Sequence, residues 1–140
     1  MTPYAPAASC LLLLFLAGCG QPDYKGPRRF PLSGSVTFDG EPIDFGSISF
    51  LPPGGEQRVS GGLIENGKYS VPEARGANAG KHKVEIRWNK RTGKQKRDPD
   101  SGEMYDDRKE ALPPRFHADS ELTAEVSAQQ TKFDFNLKSK

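Results

Sequence analysis

A single all-β domain, a sandwich of about seven short strands, is predicted by three features of the sequence. Apolar and polar residues alternate over stretches of about four to eight residues, the period of a half-buried strand. Turn chemistry recurs roughly every 8 to 12 residues. No window of comparable length repeats its apolar residues at helical spacing. The 140 residues carry 20 Lys and Arg against 18 Asp and Glu, so the net charge of +2 gives no global drive toward nucleic acid, and no nucleic-acid partner is expected.

The chain begins with an apolar run, LLLLFLAGCG at residues 11 to 20. A spanning helix needs about 20 apolar residues, whereas this run follows Pro3 and Pro6 and gives way to polar, proline-rich sequence. It fits the apolar region of a secretory signal that ends in small residues. Leu16, Ala17, Gly18 and Cys19 then resemble the lipobox of bacterial lipoproteins. That resemblance implies a lipoprotein signal peptide over residues 1 to 18, cleavage before Cys19, and a diacylglycerol carried by its thiol. Thiolate is the nucleophilic form of sulfur, which is why the acylated position is a cysteine. The segment MTPYAPAAS departs from the family in having no Lys or Arg, and an ordinary signal with a chance cysteine is the alternative. Two or three acyl chains, at about 0.8 kcal/mol per buried CH₂, hold a protein at a membrane without a second membrane element. Gly20 stands where the lipoprotein family uses Asp for inner-membrane retention, so the resemblance implies the outer membrane where there are two, or else the cell membrane, facing periplasm or exterior.

Cys10 leaves with such a signal and Cys19 carries lipid, so the mature domain has no disulfide and depends on an apolar core. Redox and cysteine-metal chemistry are thereby excluded, no cofactor is expected, and the domain is read as a monomer. Residues 19 to 31 are Gly- and Pro-rich and read as a flexible tether reaching at most roughly 40 Å. Lys25, Arg28 and Arg29 are read as solvated there, with contact to anionic headgroups as the sharper alternative.

The sandwich is expected over residues 32 to 140. Leu32, Val36 and Phe38 share one parity, and Asp39-Gly40-Glu41-Pro42 is a turn. Ile43 and Phe45 lie on odd positions but Ile48 and Phe50 on even ones, so a glycine bulge at Gly46-Ser47 is expected to keep all four inside. After Pro52-Pro53-Gly54-Gly55, a strand with Val59, Gly61 and Leu63 on one face leads to a tight Asn66-Gly67 hairpin, then Tyr69 and Val71. In KHKVEIRW, His82, Val84, Ile86 and Trp88 point one way and the charged residues the other. Leu122, Ala124 and Val126 alternate near the end, as do Phe133, Phe135 and Leu137.

Taken in order, LSGSVTFDGEPIDFGSISFLP, GGLIENGKYSV, GKHKVEIRW, PPRFHADSELTAEV and FDFNLK resemble small bacterial lipoproteins with a carboxypeptidase-regulatory-like, transthyretin-like (prealbumin-like) domain. The resemblance spans residues 32 to 140 apart from the stretch after Trp88. It implies a Greek-key, immunoglobulin-like sandwich of about seven strands and a non-catalytic role with an unknown ligand.

Candidate chemistry is sparse. His82 and Glu85 form H-x-x-E, but on a strand residues three apart face opposite ways and cannot share a metal, so no metal site is assigned and His82 is read as core or rim. A transthyretin-like hydrolase would need paired histidines, an arginine and a C-terminal Tyr-Arg-Gly-Ser; this chain ends Asn136-Leu137-Lys138-Ser139-Lys140 and has only His82 and His117. No phosphate loop or nucleophile elbow is present, and no catalytic residue is assigned. Residues 89 to 113 are read as a long polar loop, solvated and mobile, with a basic half (Lys90, Arg91, Lys94, Lys96, Arg97) and an acidic half that attract each other. The basic half is the candidate partner-binding segment, for an anionic envelope polymer or protein. Asp98-Pro99-Asp100-Ser101-Gly102-Glu103 superficially suggests calcium but lacks EF-hand spacing, with Lys109 at the twelfth position. Trp88 is read as core rather than a sugar platform, and Phe116 as a plug behind Pro113 and Pro114. The expected function is a lipid-anchored, non-catalytic binding or structural module of the cell envelope. A polysaccharide-binding accessory protein is the second reading, and a small hydrolase the third.

Overall fold

A computed structural model describes residues 25–55 and 58–140 of the chain. The lipobox, Cys19 and the signal region lie outside these. The described residues form eleven strands: β1 (Arg29–Phe30), β2 (Leu32–Phe38), β3 (Glu41–Pro42), β4 (Phe45–Leu51), β5 (Ser60–Glu65), β6 (Lys68–Val71), β7 (Ala77–Asn78), β8 (Gly80–Arg97), β9 (Met104–Glu110), β10 (Thr123–Val126) and β11 (Phe135–Leu137). Two single-turn 3₁₀ helices, Glu73–Arg75 and Pro114–Phe116, interrupt them. The fold is all-β, as the alternation predicts.

One sheet runs β10-β8-β4-β5-β6-β2-β11 and curls until its two ends face each other. The proof is in the rings: β2 and β8 are not neighbours in the sheet, yet Phe38 and Trp88 meet edge-on at 6.1 Å. Phe50 of β4 likewise reaches Tyr69 of β6 at 6.1 Å and Phe133, just before β11, at 6.2 Å. All pairings in this sheet are antiparallel except β11 with β2, where Phe135 lies beside Val36 and Leu137 beside Phe38. The core between the halves contains Leu32, Val36, Ile48, Phe50, Ile64, Val84, Ile86, Trp88, Val126 and Leu137, all buried. Burying one such side chain contributes about 1.5–3 kcal/mol, the main force holding a domain without disulfides.

Several expectations hold in detail. His82, Val84, Ile86 and Trp88 are each no more than 2% exposed. Asn66 and Gly67 both have positive φ, 51° and 75°, the geometry of a type I′ turn, whose twist matches its strands. Phe116 is buried and stacks edge-on to Phe38 at 6.2 Å.

Four details differ. No bulge occurs at Gly46-Ser47: β4 keeps one register from Phe45 through Leu51 against its neighbours. Ile43 enters the core from the connection before the strand, while Phe45 faces outward, half-buried under the Arg108 guanidinium at 4.6 Å. The inward parity of β5 is the reverse of that expected. Ser60 and Ile64 point in, and Val59 and Leu63 are 53% and 58% exposed. Cross-strand pairing explains it, because β5 matches small residues to large ones on β4: Phe50 with Ser60, Ile48 with Gly62, and Gly46 with Ile64. Next, the end of the segment expected to be a flexible tether is ordered. Arg29 and Phe30 pair with Asn78 and Ala77, the Asn78 amide donates to the Pro27 carbonyl at 2.8 Å, and Gly76 lies so close to the Phe30 carbonyl that a Cβ would stand 2.0 Å from it.

The fourth difference is the largest. Residues 89 to 113 are not a polar loop: β8 runs on past the sandwich to Arg97 and β9 returns beside it, a two-stranded arm. Its physical basis is charge pairing across the ladder and a turn at 98–103, described below. No helix among the described residues is long and apolar enough to cross a membrane.

Candidate functional site

The arm contributes no buried side chain to the core. No residue from 89 to 111 is buried. Its seven-residue β9 spans roughly 20 Å at about 3.3 Å per residue, so the tip stands well clear of the sandwich. The ladder pairs Asn89 with Glu110, Lys90 with Lys109 and Arg91 with Arg108, then resumes at Gln95 with Asp106 and ends at Arg97 with Met104. Between Arg91 and Gln95, four steps on β8 face two on β9, so two extra residues bulge out. Gly93 takes this bulge with φ of 79°, where a side chain would be strained.

Side chains lace the arm. Arg91 Nε meets Asp106 at 3.2 Å, Lys96 Nζ meets Asp107 at 2.7 Å, and Thr92 Oγ1 donates to Asp107 at 3.0 Å. The Lys96 ammonium holds the Asp107 carboxyl below the usual carboxylate range, and Asp107 in return raises Lys96. At the tip, Asp98 Oδ1 accepts from the backbone N–H groups of Ser101 and Asp100 at 2.7 and 2.9 Å, which lowers its proton affinity. This is an Asx turn closing a hairpin, and it uses the carboxylate the calcium reading needed. Groups of three or more metal-ligating side chains are absent among the described residues.

The base of the arm is fixed by Glu110. One of its oxygens accepts from the backbone N–H of Trp88 and of Leu112, both at 3.0 Å, and the other lies 3.6 Å from Arg87. Beside it, Trp88 Nε1 donates to Asp44 at 2.6 Å, which holds the Asp44 carboxyl low. Lys90 stacks over the Trp88 ring at 4.4 Å and reaches Glu41 at 3.4 Å.

Of the five basic residues singled out by sequence, Lys90, Arg91 and Lys96 are thus ion-paired within the chain. Arg97 donates to the Gly102 carbonyl at 3.0 Å, and Lys94 forms no ion pair among the described residues. Sequence reasoning missed two exposed apolar side chains at the tip, Met104 and Tyr105, at 57% and 48% exposure. Their adjacency in an otherwise charged run was the available signal.

A second feature is an open hollow of about 1030 Å³ on the outer face of β2, β5 and β6. Its lining includes Ser33, Ser35 and Ser70, whose small side chains leave the space, with Lys68, Lys132 and Asp134 at the sides. Asp134 accepts from the Ser35 backbone N–H at 2.8 Å and hydroxyl at 3.0 Å, which lowers its pKa. The Tyr69 hydroxyl donates to the Phe133 carbonyl at 2.8 Å, and burial pushes its pKa up, away from any role as a base. Both histidines are buried and each shares a hydrogen bond with a carbonyl, His82 with Gly80 and His117 with Leu112. Glu85 pairs with Lys83 at 3.2 Å and shares no face with His82.

No family model matches the chain, and no curated protein matches it. Among solved structures, it is similar to a 9R-lipoxygenase from Cyanothece PCC8801, at 14% identity and a TM-score of 0.37. The match covers 84% of this chain and 18% of the lipoxygenase, a resemblance too slight to carry an argument about fold or function.

Proposed function

We propose that the chain is a lipid-anchored, non-catalytic module of the cell envelope that presents the 89–110 arm away from the membrane. One observation supports this above the others: the tether and the arm leave opposite ends of the sandwich. β1 docks against residues 77 and 78, immediately before β8 begins at Gly80; β8 then crosses the sandwich once and continues outward as the arm. A lipid on Cys19 would hold the first end at the bilayer, and the rigid sheet would carry the arm to the other side. The small polar and apolar tip, with Met104 and Tyr105 beside Arg97, is the contact surface for an envelope partner. The burial and carbonyl bonding of both histidines support a binding role over a hydrolytic one: in the outer hollow Ser35 donates to the Asp134 carboxylate, and no histidine is among the lining residues to relay its proton.

The experiment is metabolic labelling with a fatty acid in cells producing the native chain or Cys19→Ala. Label should enter the native protein and vanish from the variant. Mass spectrometry showing an intact Met1 or an unmodified Cys19 thiol would overturn the reading.

A further inference from the structure

Three segments distant in sequence bring arginines to the tethered end of the sandwich. Arg28 is on the chain leading into β1, Arg58 lies two residues before β5, and Arg75 lies in the 3₁₀ turn after β6. Arg29, Arg58 and Arg75, with Val59, Gly61 and Gly76, line one recess of about 100 Å³. The backbone there is held firmly: the Ser60 hydroxyl donates to the Arg75 carbonyl at 2.7 Å, and Arg29 donates to the Ala74 carbonyl at 2.7 Å. Arg28 stacks over the Phe30 ring at 5.2 Å, which fixes its stem and leaves its exposed charge outward. Among the described residues Arg28, Arg58 and Arg75 form no ion pair, although Glu73 lies two residues before Arg75. Val59, 53% exposed, is an apolar side chain at the same rim.

We infer that this end of the sandwich rests on an anionic phospholipid surface, with Arg28, Arg58 and Arg75 meeting lipid phosphates and Val59 entering the headgroup layer. The inference rests on the lipid-anchor reading for its geometry, since nine residues from Cys19 to Arg28 span at most roughly 30 Å and so keep this end near the bilayer. Charge complementarity selects the occupant. Each arginine brought to an anionic surface strengthens association by about fivefold, and an apolar side chain at the rim adds to this. Contact of this kind would convert a loose tether into a fixed stance, with the arm directed outward.

The test uses the unlipidated chain from residue 20 onward, which contains every core residue, since these lie between positions 32 and 137. It is sedimented with vesicles of phosphatidylcholine alone or mixed with phosphatidylglycerol. Association should be confined to the mixed vesicles, fall with added sodium chloride, drop by about 25-fold in the double variant Arg58→Ala/Arg75→Ala, and return in Arg58→Lys/Arg75→Lys. Arg28→Gln lies outside every strand and should alone weaken association about fivefold, so the test stands even if the double variant unfolds. Equal binding to both vesicles, or unchanged binding in Arg28→Gln and the double variant, would overturn the inference. Displacement by inorganic phosphate at matched ionic strength would also overturn it, in favour of a discrete anion site. Because no lipid is attached, a negative result leaves acylation of Cys19 standing, and failed fatty-acid labelling leaves the vesicle result standing.

Discussion

β8 is one strand living under two regimes. Over residues 80 to 88 it alternates buried His82, Val84, Ile86 and Trp88 with charged residues, paired by β4 on one edge and by β10 on the other. Over residues 89 to 97 it buries nothing and has a single partner, β9. The first half is held by the hydrophobic effect, which fixes which face points inward. The second is held by ladder hydrogen bonds and ion pairs between side chains 18% to 63% exposed, each worth about 0–1 kcal/mol. A two-stranded ribbon is marginal by itself, so the arm depends on the rigid half for its start and its direction. Its charged edges also discourage pairing with strands of other molecules.

Changes in each region should therefore differ in size and in what they disturb. Phe50→Ala removes a ring that packs against Tyr69 and Phe133 and should destabilise the whole domain by about 3–5 kcal/mol in urea denaturation. Glu110→Ala, at the boundary, leaves the Trp88 and Leu112 N–H groups without their acceptor. It should cost about 1–2 kcal/mol and loosen the arm, read as faster amide exchange across residues 89 to 110.

Acid should act on both regions with the same sign. Asp44 and Asp134 in the sandwich, and Asp98 and Asp107 in the arm, have folded pKa values below their ordinary 3.8. Their stabilisation is complete above that value and is lost as pH falls through the lower folded values. Lys96 is raised above 10.5, so its contribution is complete below 10.5 and is lost as pH rises through the higher folded value. Amide protection factors in the arm, which correct for the intrinsic pH dependence of exchange, should accordingly fall at both extremes, whereas those of the sandwich core should fall chiefly in acid. The smallest effect should come from the most drastic edit. Replacing residues 92 to 107 by an Asn-Gly turn, with Lys90, Arg108 and Glu110 kept, should leave the unfolding free energy from urea denaturation within about 0.5 kcal/mol of native, because no buried side chain is removed and the Lys90–Trp88 and Arg108–Phe45 contacts remain.

The two regimes also explain what the sequence could tell. Strands with apolar residues at every second position were legible, and so was the Asn66-Gly67 turn, because each carries its own local signal. β5 was misread because Leu63 and Ile64 are adjacent, so both parities offer a large apolar residue inward. Only the partner strand, with Phe50 facing Ser60, decides between them. The expected bulge at Gly46 failed for a related reason, since a guanidinium from the arm covers Phe45 and removes the need to bury it in the core. The arm was hidden because strand reading follows apolar alternation, which it lacks. Its signal was Asp98-Pro99-Asp100-Ser101-Gly102, turn chemistry between a basic run and an acidic one, and the acidic side chains drew attention to cations instead. The basic cluster at the tethered end assembles from positions 28, 58 and 75, so it exists only after folding.

The opposition of tether and arm is the claim most open to direct measurement. Under the proposed processing Cys10 is removed and Cys19 is acylated, so Val59→Cys or Tyr105→Cys would supply a single thiol for a fluorophore. In vesicles containing brominated lipid, a label at 59 should be quenched and a label at 105 should not. Equal quenching at the two positions would mean that the arm lies on the membrane, contrary to the account given for this fold.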